Sequence, residues 1–377
     1  MKFSPLSVVS CSLLFSVLAG CGPQDGKSEF AEAVDAYGVR DFKKAERLFT
    51  ESLAVAPNDV DRLLYLARVK LDLGDLPAAQ ELVAKAAPLS DGASDVALFA
   101  AQLAWHAKDY KKARALYGAL AADAKRPSEI RAEAFAGLGV VEVTENNFHL
   151  ARIAFLRALR IDRRNASAWY HLGLVYRELG YVEAALDQFD TFVHLEEMAS
   201  PRVQKVQQKV IPELRERVAQ ASAERPGAAK RDSAASAAAL DSAEGDWKRG
   251  RYKDARTNYA QALKSDPLSY PAALGLARCW EKTDATKEGQ AKAFENYRVA
   301  CALRPSAVST FLAAGALAAK LGNHAQAVEI FSRAVAANPT SLDAIDGLIR
   351  ALNKVGSQRT VAMAYQAYRD VVAKKLK

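Results

Sequence analysis

Four cysteines and five histidines are the residues of this chain best suited to nucleophilic, redox or metal chemistry. Cys21 follows Leu18-Ala19-Gly20, at the end of an apolar run from Leu6 to Leu18 that stands behind a positive Met1-Lys2 start. Cys11 lies inside the apolar run, a segment of the kind removed as a leader, and Cys279 and Cys301 are the pair in the body of the chain. An oxidising compartment permits a bridge between such a pair. If the two stand on opposite helices of one hairpin that turns near residue 287, they are offset by about six residues, roughly 9 Å. A disulfide needs Cα atoms within about 7 Å, so both are expected as small core residues. His106, His149, His171, His194 and His324 show no ligand spacing such as His-Glu-x-x-His. There is no Gly-rich phosphate loop, no Gly-x-Ser-x-Gly elbow and no paired-cysteine motif. The expectation is a chain without catalysis, metal or cofactor.

The elements that must carry these residues are set by a repeat. Alanine recurs at 45, 79, 113, 151, 185, 255, 293 and 327, and one further period reaches Val361. Four residues after these markers stand Phe49, Tyr117, Phe155, Phe189, Tyr259, Tyr297, Phe331 and Tyr365, with Val83 the exception. Aromatics are 8% of the chain, so this register is not chance. Twelve residues before the marker the side chain is small in most copies: Ala33, Ala67, Ala101, Gly139, Gly173, Ala243 and Gly315. Two helices approach closely only where neither is bulky, and the aromatic one turn on fills the wedge between successive hairpins. Gly74, Gly180, Gly250, Gly322 and Gly356 lie five residues before the marker, where a first helix ends. Pro57, Pro267, Pro305 and Pro339 lie twelve after it and stop the second.

One copy runs Trp169, Leu172-Gly173, Tyr176, Ala185 and Phe189. This resembles the tetratricopeptide repeat, a helix-turn-helix of about 34 residues. The resemblance implies an all-α solenoid, a right-handed superhelix of stacked hairpins. Residues 29–200 read as a first array of about five repeats and 237–377 as a second of three to four. Residues 201–236 join them. After Ser200-Pro201, Val203, Val206, Val210, Ile211, Leu214 and Val218 make an apolar stripe opposite Arg202, Lys205, Lys209, Arg215 and Arg217. Such a helix, kinked near Pro212, either caps the fifth hairpin or binds a partner. The Ala/Ser/Lys/Arg stretch around Pro226-Gly227 reads as a flexible linker over about 224–236. Four extra residues near 125–128 are expected to loosen the stack, and four more near 284–289 to form a protruding loop.

In this family the first helices line the concave face through their second, fifth, ninth, twelfth and thirteenth positions. Carried over, the partner-binding groove comprises Phe30, Tyr37, Leu64, Arg68, Leu98, Gln102, Trp105, Tyr170 and Arg177, with Leu240 and Trp247 in the second array. The Asn and Lys set that clamps a carboxylate in chaperone-binding relatives is not visible.

The start of the chain resembles bacterial lipoproteins. Residues 1–20 read as a lipoprotein signal peptide, and Leu18-Ala19-Gly20-Cys21 resembles the lipobox, with Cys21 lipidated and 21–28 as a tether; a plain secretory cleavage near Ala19 or Gly20 is the other reading. Three acyl chains would give stable anchoring where one is marginal. Gly22, rather than the Asp of inner-membrane retention in enterobacterial lipoproteins, points to the outer membrane, facing the periplasm. Without residues 1–20 the chain carries 51 basic against 44 acidic side chains. That balance suits solubility, or anionic lipid or an acidic partner; nucleic acid is not expected. The expected function is a non-catalytic scaffold for envelope protein or peptide clients, serving pilus, secretion, outer-membrane or cell-wall assembly. The alternative is a glycan- or polysaccharide-binding lipoprotein in which Trp and Tyr stack on sugars.

Overall fold

A computed structural model describes residues 27–196, 200–224 and 231–374. Cys21 and the expected leader lie outside these residues. Helix α1 begins at Lys27, so the last two residues of the expected tether are helical. The chain divides into two compact units between His171 and Leu172, inside α9.

The first unit holds α1 (Lys27–Gly38), α2 (Phe42–Val55), α3 (Val60–Asp72), α4 (Leu76–Ala86), α5 (Ser94–His106), α6 (Tyr110–Ala122), α7 (Ser128–Thr144) and α8 (Phe148–Ile161), then the start of α9 (Ala166–Glu178). Each hairpin packs its two helices on one another and on the next pair. The marker alanines Ala45, Ala79, Ala113 and Ala151 are wholly buried, leaving no room for a larger side chain. Tyr117 shows what the aromatic does. Its ring lies so close to Gly137 of the next hairpin that a Cβ there would sit 2.4 Å from it. Phe155 fits as tightly against Gly139 of its own hairpin.

In the first unit each turn between the helices of a hairpin holds a left-handed residue. Gly74 supplies it after α3 at φ 87°, but Arg40, Lys108 and Asn146 fill the same place at φ 61–62° without glycine. Capping offsets that strain in part. Asp41, Asp75 and Asp109 each accept a hydrogen bond from the backbone three residues on, at the starts of α2, α4 and α6.

The second unit continues with α10 (Val182–Leu195), α11 (Pro201–Lys205), a π-helical stretch (Val206–Val210) and α12 (Ile211–Ala223). It then holds α13 (Ser233–Lys248), α14 (Tyr252–Ser265), α15 (Tyr270–Thr283), α16 (Lys287–Leu303), α17 (Val308–Lys320), α18 (His324–Ala337), α19 (Leu342–Val355) and α20 (Arg359–Lys374). The packing logic repeats. Gly275 approaches Tyr259 as Gly137 approaches Tyr117, and Phe331 is held between Gly315 and Gly347.

The expected insertions and the expected linker are corrected here. Neither four-residue insertion makes a loose loop: α7 and α16 each run 17 residues against 13–14 in most of their counterparts. Four residues are about one helical turn, so the added material lengthens a helix at its start. Just before Pro212, where a kink is expected, the helix passes through a π stretch. Proline has no N–H and crowds the carbonyl four residues back, so the ladder widens there. Val203, Val206, Val210, Ile211 and Leu214 are buried, and α12 packs on α10. The linker also ends earlier than expected. Residues 233–236 are helical, Arg231 makes a bidentate pair with Asp266 at 2.7 and 2.8 Å, and buried Ser236 donates to the Ala262 carbonyl. Cys279 and Cys301 are free and buried. Burial pushes their thiols up to about 11 and about 12, which keeps them unreactive.

Candidate functional site

The candidate site is the face made by successive first helices. In the first unit these are α1, α3, α5 and α7. Phe30 on α1 is half-buried in an aromatic group, 5.6 Å from the Phe49 ring and 5.4 Å from Tyr65. Tyr37, two turns on, donates to Asp72 of α3 at 2.9 Å. Leu64, Leu98 and Gln102 are buried and form the floor of the face rather than its surface. Arg68 is half-buried, its guanidinium lying 5.6 Å over Tyr65 and 5.7 Å over Phe99. Its Nε is buried without a hydrogen-bond partner, and so is Oε1 of Gln102.

Trp105 is half-buried and its indole N–H donates to Thr144 of α7 at 3.0 Å. It therefore joins two hairpins, with its polar edge already taken. Tyr170 is half-buried with its ring edge on His171 at 5.2 Å. Arg177 falls in the second unit, half-buried and paired with Glu178 at 3.3 Å.

Three residues that the transfer of groove positions passed over matter here. Asp61, Asp95 and Glu133 occupy the second position of the groove register on α3, α5 and α7. The signal was present, since Asp61 and Asp95 are one period apart and Glu133 follows after a period plus the insertion. Burial pushes Glu133 up to about 7, Arg68 opposing and Asp95 adding to the shift. Asp61 is raised by lost hydration and then by Asp59 and Asp95, again against Arg68. The four charges thus sense one another across three helices. Burial also lowers His106.

The second unit presents a different surface. Leu240 and Trp247 are half-buried, and Trp247 packs edge-on to Tyr252 at 4.9 Å. A shallow cavity of about 190 Å³ opens beside it, lined by Glu244, Trp247, Lys248, Tyr259, Gly275 and Arg278. Lys248, Lys282, Lys320 and Lys354 stand exposed in the last turns of α13, α15, α17 and α19. Among the described residues no group of His, Cys, Asp or Glu is placed to hold a metal ion, and no helix is long and apolar enough to cross a membrane.

Family profiles described as tetratricopeptide repeat match residues 36–91, residues 131–196 and 240–308, and residues 308–341, more than half of the chain together. The chain belongs to the tetratricopeptide repeat family. Its fold is similar to that of PilF of Pseudomonas aeruginosa, at 16% identity, 54% of this chain, 93% of that one and a TM-score of 0.40. MamA from Desulfovibrio magneticus RS-1, residues 41 to the end, is 20% identical over 47% of this chain and 98% of its own, with a TM-score of 0.36. The first tetratricopeptide domain of Spaghetti, solved with an HSP90 peptide, is 19% identical over 34% of this chain and 98% of its own, with a TM-score of 0.30. No curated protein matches the chain. Arrays of this family are protein-interaction scaffolds, typically without catalysis, and this chain has that architecture.

Proposed function

We propose that this chain is a lipid-anchored scaffold of the bacterial envelope, held at the outer membrane through Cys21 and facing the periplasm. It holds envelope protein or peptide clients on the first-helix face of its first unit and performs no catalysis. The observation that carries this reading is the unpartnered polar pair on that face. Arg68 Nε and Gln102 Oε1 are both buried without partners, and the Arg68 guanidinium lies over the rings of Tyr65 and Phe99. Buried polar groups left unsatisfied are uncommon in folded proteins, and aromatic and arginine groups are the usual anchors of protein interfaces. Trp105 gives its N–H to Thr144, which leaves its ring as the part that a guest meets.

The test is a crosslinked pull-down from intact cells, comparing the native chain, Cys21→Ala, and the double variant Arg68→Ala with Trp105→Ala. Distinct envelope proteins should co-purify with the native chain, be lost from the unanchored one and weaken with the double variant. Unchanged capture by the double variant would remove the groove assignment. Unchanged capture by Cys21→Ala would remove the anchor from the reading.

A further inference from the structure

The carboxylates of the first unit share a stripe with the unpartnered pair. Asp61 and Arg68 are seven residues apart on α3, as are Asp95 and Gln102 on α5. Seven residues are about two turns, so each pair lies on one side of its helix. Other carboxylates on these first helices are engaged: Asp72 accepts from Tyr37, and Glu142 accepts from Arg114 and Asn147. Asp61, Asp95 and Glu133 make no ion pair or hydrogen bond among the described residues, and Arg68 makes no ion pair with them.

We propose that a client segment enters this face through one lysine or arginine side chain seated among Asp61, Asp95 and Glu133, with Gln102 Oε1 as a further acceptor. The inference rests on the scaffold reading and names the chemistry of what the scaffold holds. Three carboxylates against the single Arg68 leave the stripe net negative, in a chain whose formal net charge is +8. An acidic stripe on a basic chain attracts a cation to that face. Gln102 is only 8% exposed and its Oε1 accepts nothing, so an incoming N–H donor satisfies a group that burial has left costly. Leu64 and Leu98 lie between the second and ninth positions and offer an apolar bed for the methylene stem of the guest. Glu133, held near 7 by burial, is only partly ionised at neutral pH, and a guest cation completes its ionisation. A metal ion is the poorer fit, since no group among the described residues is arranged to ligate one.

The experiment is fluorescence anisotropy on the full chain with a labelled octapeptide of alternating lysine and alanine, and with its glutamate–alanine counterpart. The lysine peptide should bind the native chain, lose tenfold or more in affinity on Asp95→Asn with Glu133→Gln, and weaken as salt is raised. Both substitutions keep side-chain shape; circular dichroism confirms folding, and Glu133→Gln alone serves if the pair does not fold. Equal affinity for native and variant, or preference for the glutamate peptide, overturns the inference. A client captured in cells that neither the lysine peptide nor the substitutions release also overturns it, while leaving the scaffold reading in place. Lysine-peptide binding that the substitutions abolish supports it even where the pull-down yields no client, and in that case only the scaffold reading falls.

Discussion

The first helices of the two units are packed alike and dressed differently. Tyr117 against Gly137 and Tyr259 against Gly275 are the same contact, each leaving 2.4 Å where a Cβ would stand. On the outward positions the units part. The first carries Asp61, Asp95 and Glu133 near the helix starts, and the second carries Lys248, Lys282, Lys320 and Lys354 in the last turns. Lysine in a last turn complements the partial negative charge of the helix end, so its recurrence follows from helix physics alone. Carboxylates near a helix start have the same general excuse, but Glu133 does not, because its burial makes ionisation unfavourable. The contrast separates positions the stack dictates from positions left free for a partner.

The strongest way to break the comparison is to overfill the shared contact. Gly137→Val and Gly275→Val should each destabilise the chain by about 3 kcal/mol, because the facing rings are buried and cannot swing away. Urea denaturation measures both, and tolerance of either one would show that the two contacts are not equivalent. Next comes Glu133→Gln. The folded-state carboxyl is raised above its usual value of 4.5, so its stabilising share is present below that value and lost as pH rises through about 7. The variant should therefore be more stable than the native chain above pH 7 by about 2 kcal/mol, less than the full shift implies because Glu133 keeps some solvent contact. Thermal melts at pH 5 and pH 8 test the sign, and a variant that loses stability at pH 8 refutes it.

A smaller effect distinguishes the caps. Asp75 accepts from the Ala78 backbone N–H, whereas Asn323 at the start of α18 makes no side-chain cap bond. Asp75→Ala should cost about 1 kcal/mol and Asn323→Ala clearly less. Smallest of all, Lys320→Ala should change stability by under about 0.5 kcal/mol, since the exposed side chain makes no ion pair among the described residues.

Much of the stack was legible in the sequence because it is written at fixed offsets. The buried alanines, the aromatic four residues later and the glycines facing it are all consequences of close helix approach, and periodicity exposes them. Positive φ at Arg40 and Lys108 was not legible, since these residue types usually sit elsewhere and only the register of the turn forces them there; Asn146 adopts it more readily. The insertions were misread for a related reason: four residues fit a loop or a turn equally well, and tertiary packing decides. On the site, Arg68, Gln102 and Trp105 were placed on the right helices, but their burial depends on neighbours in other repeats. Trp105 looked available until Thr144 was found opposite it. The carboxylate stripe needed only the second positions of successive copies to be compared, a comparison obscured by the insertion that delays Glu133.

The added turns at the starts of α7 and α16 say something about how such a chain can evolve. Material gained ahead of the first packed residue leaves the phase of everything downstream untouched, as an insertion ahead of a start signal leaves a reading frame intact. Length grows there by about a turn: ahead of α7 the spacing from small residue to marker to aromatic is inherited unchanged, and ahead of α16 the spacing from marker to aromatic is. The starts of these two helices are the natural grafting points of this scaffold, where a lineage or an engineer can extend a repeat without rewriting the next one.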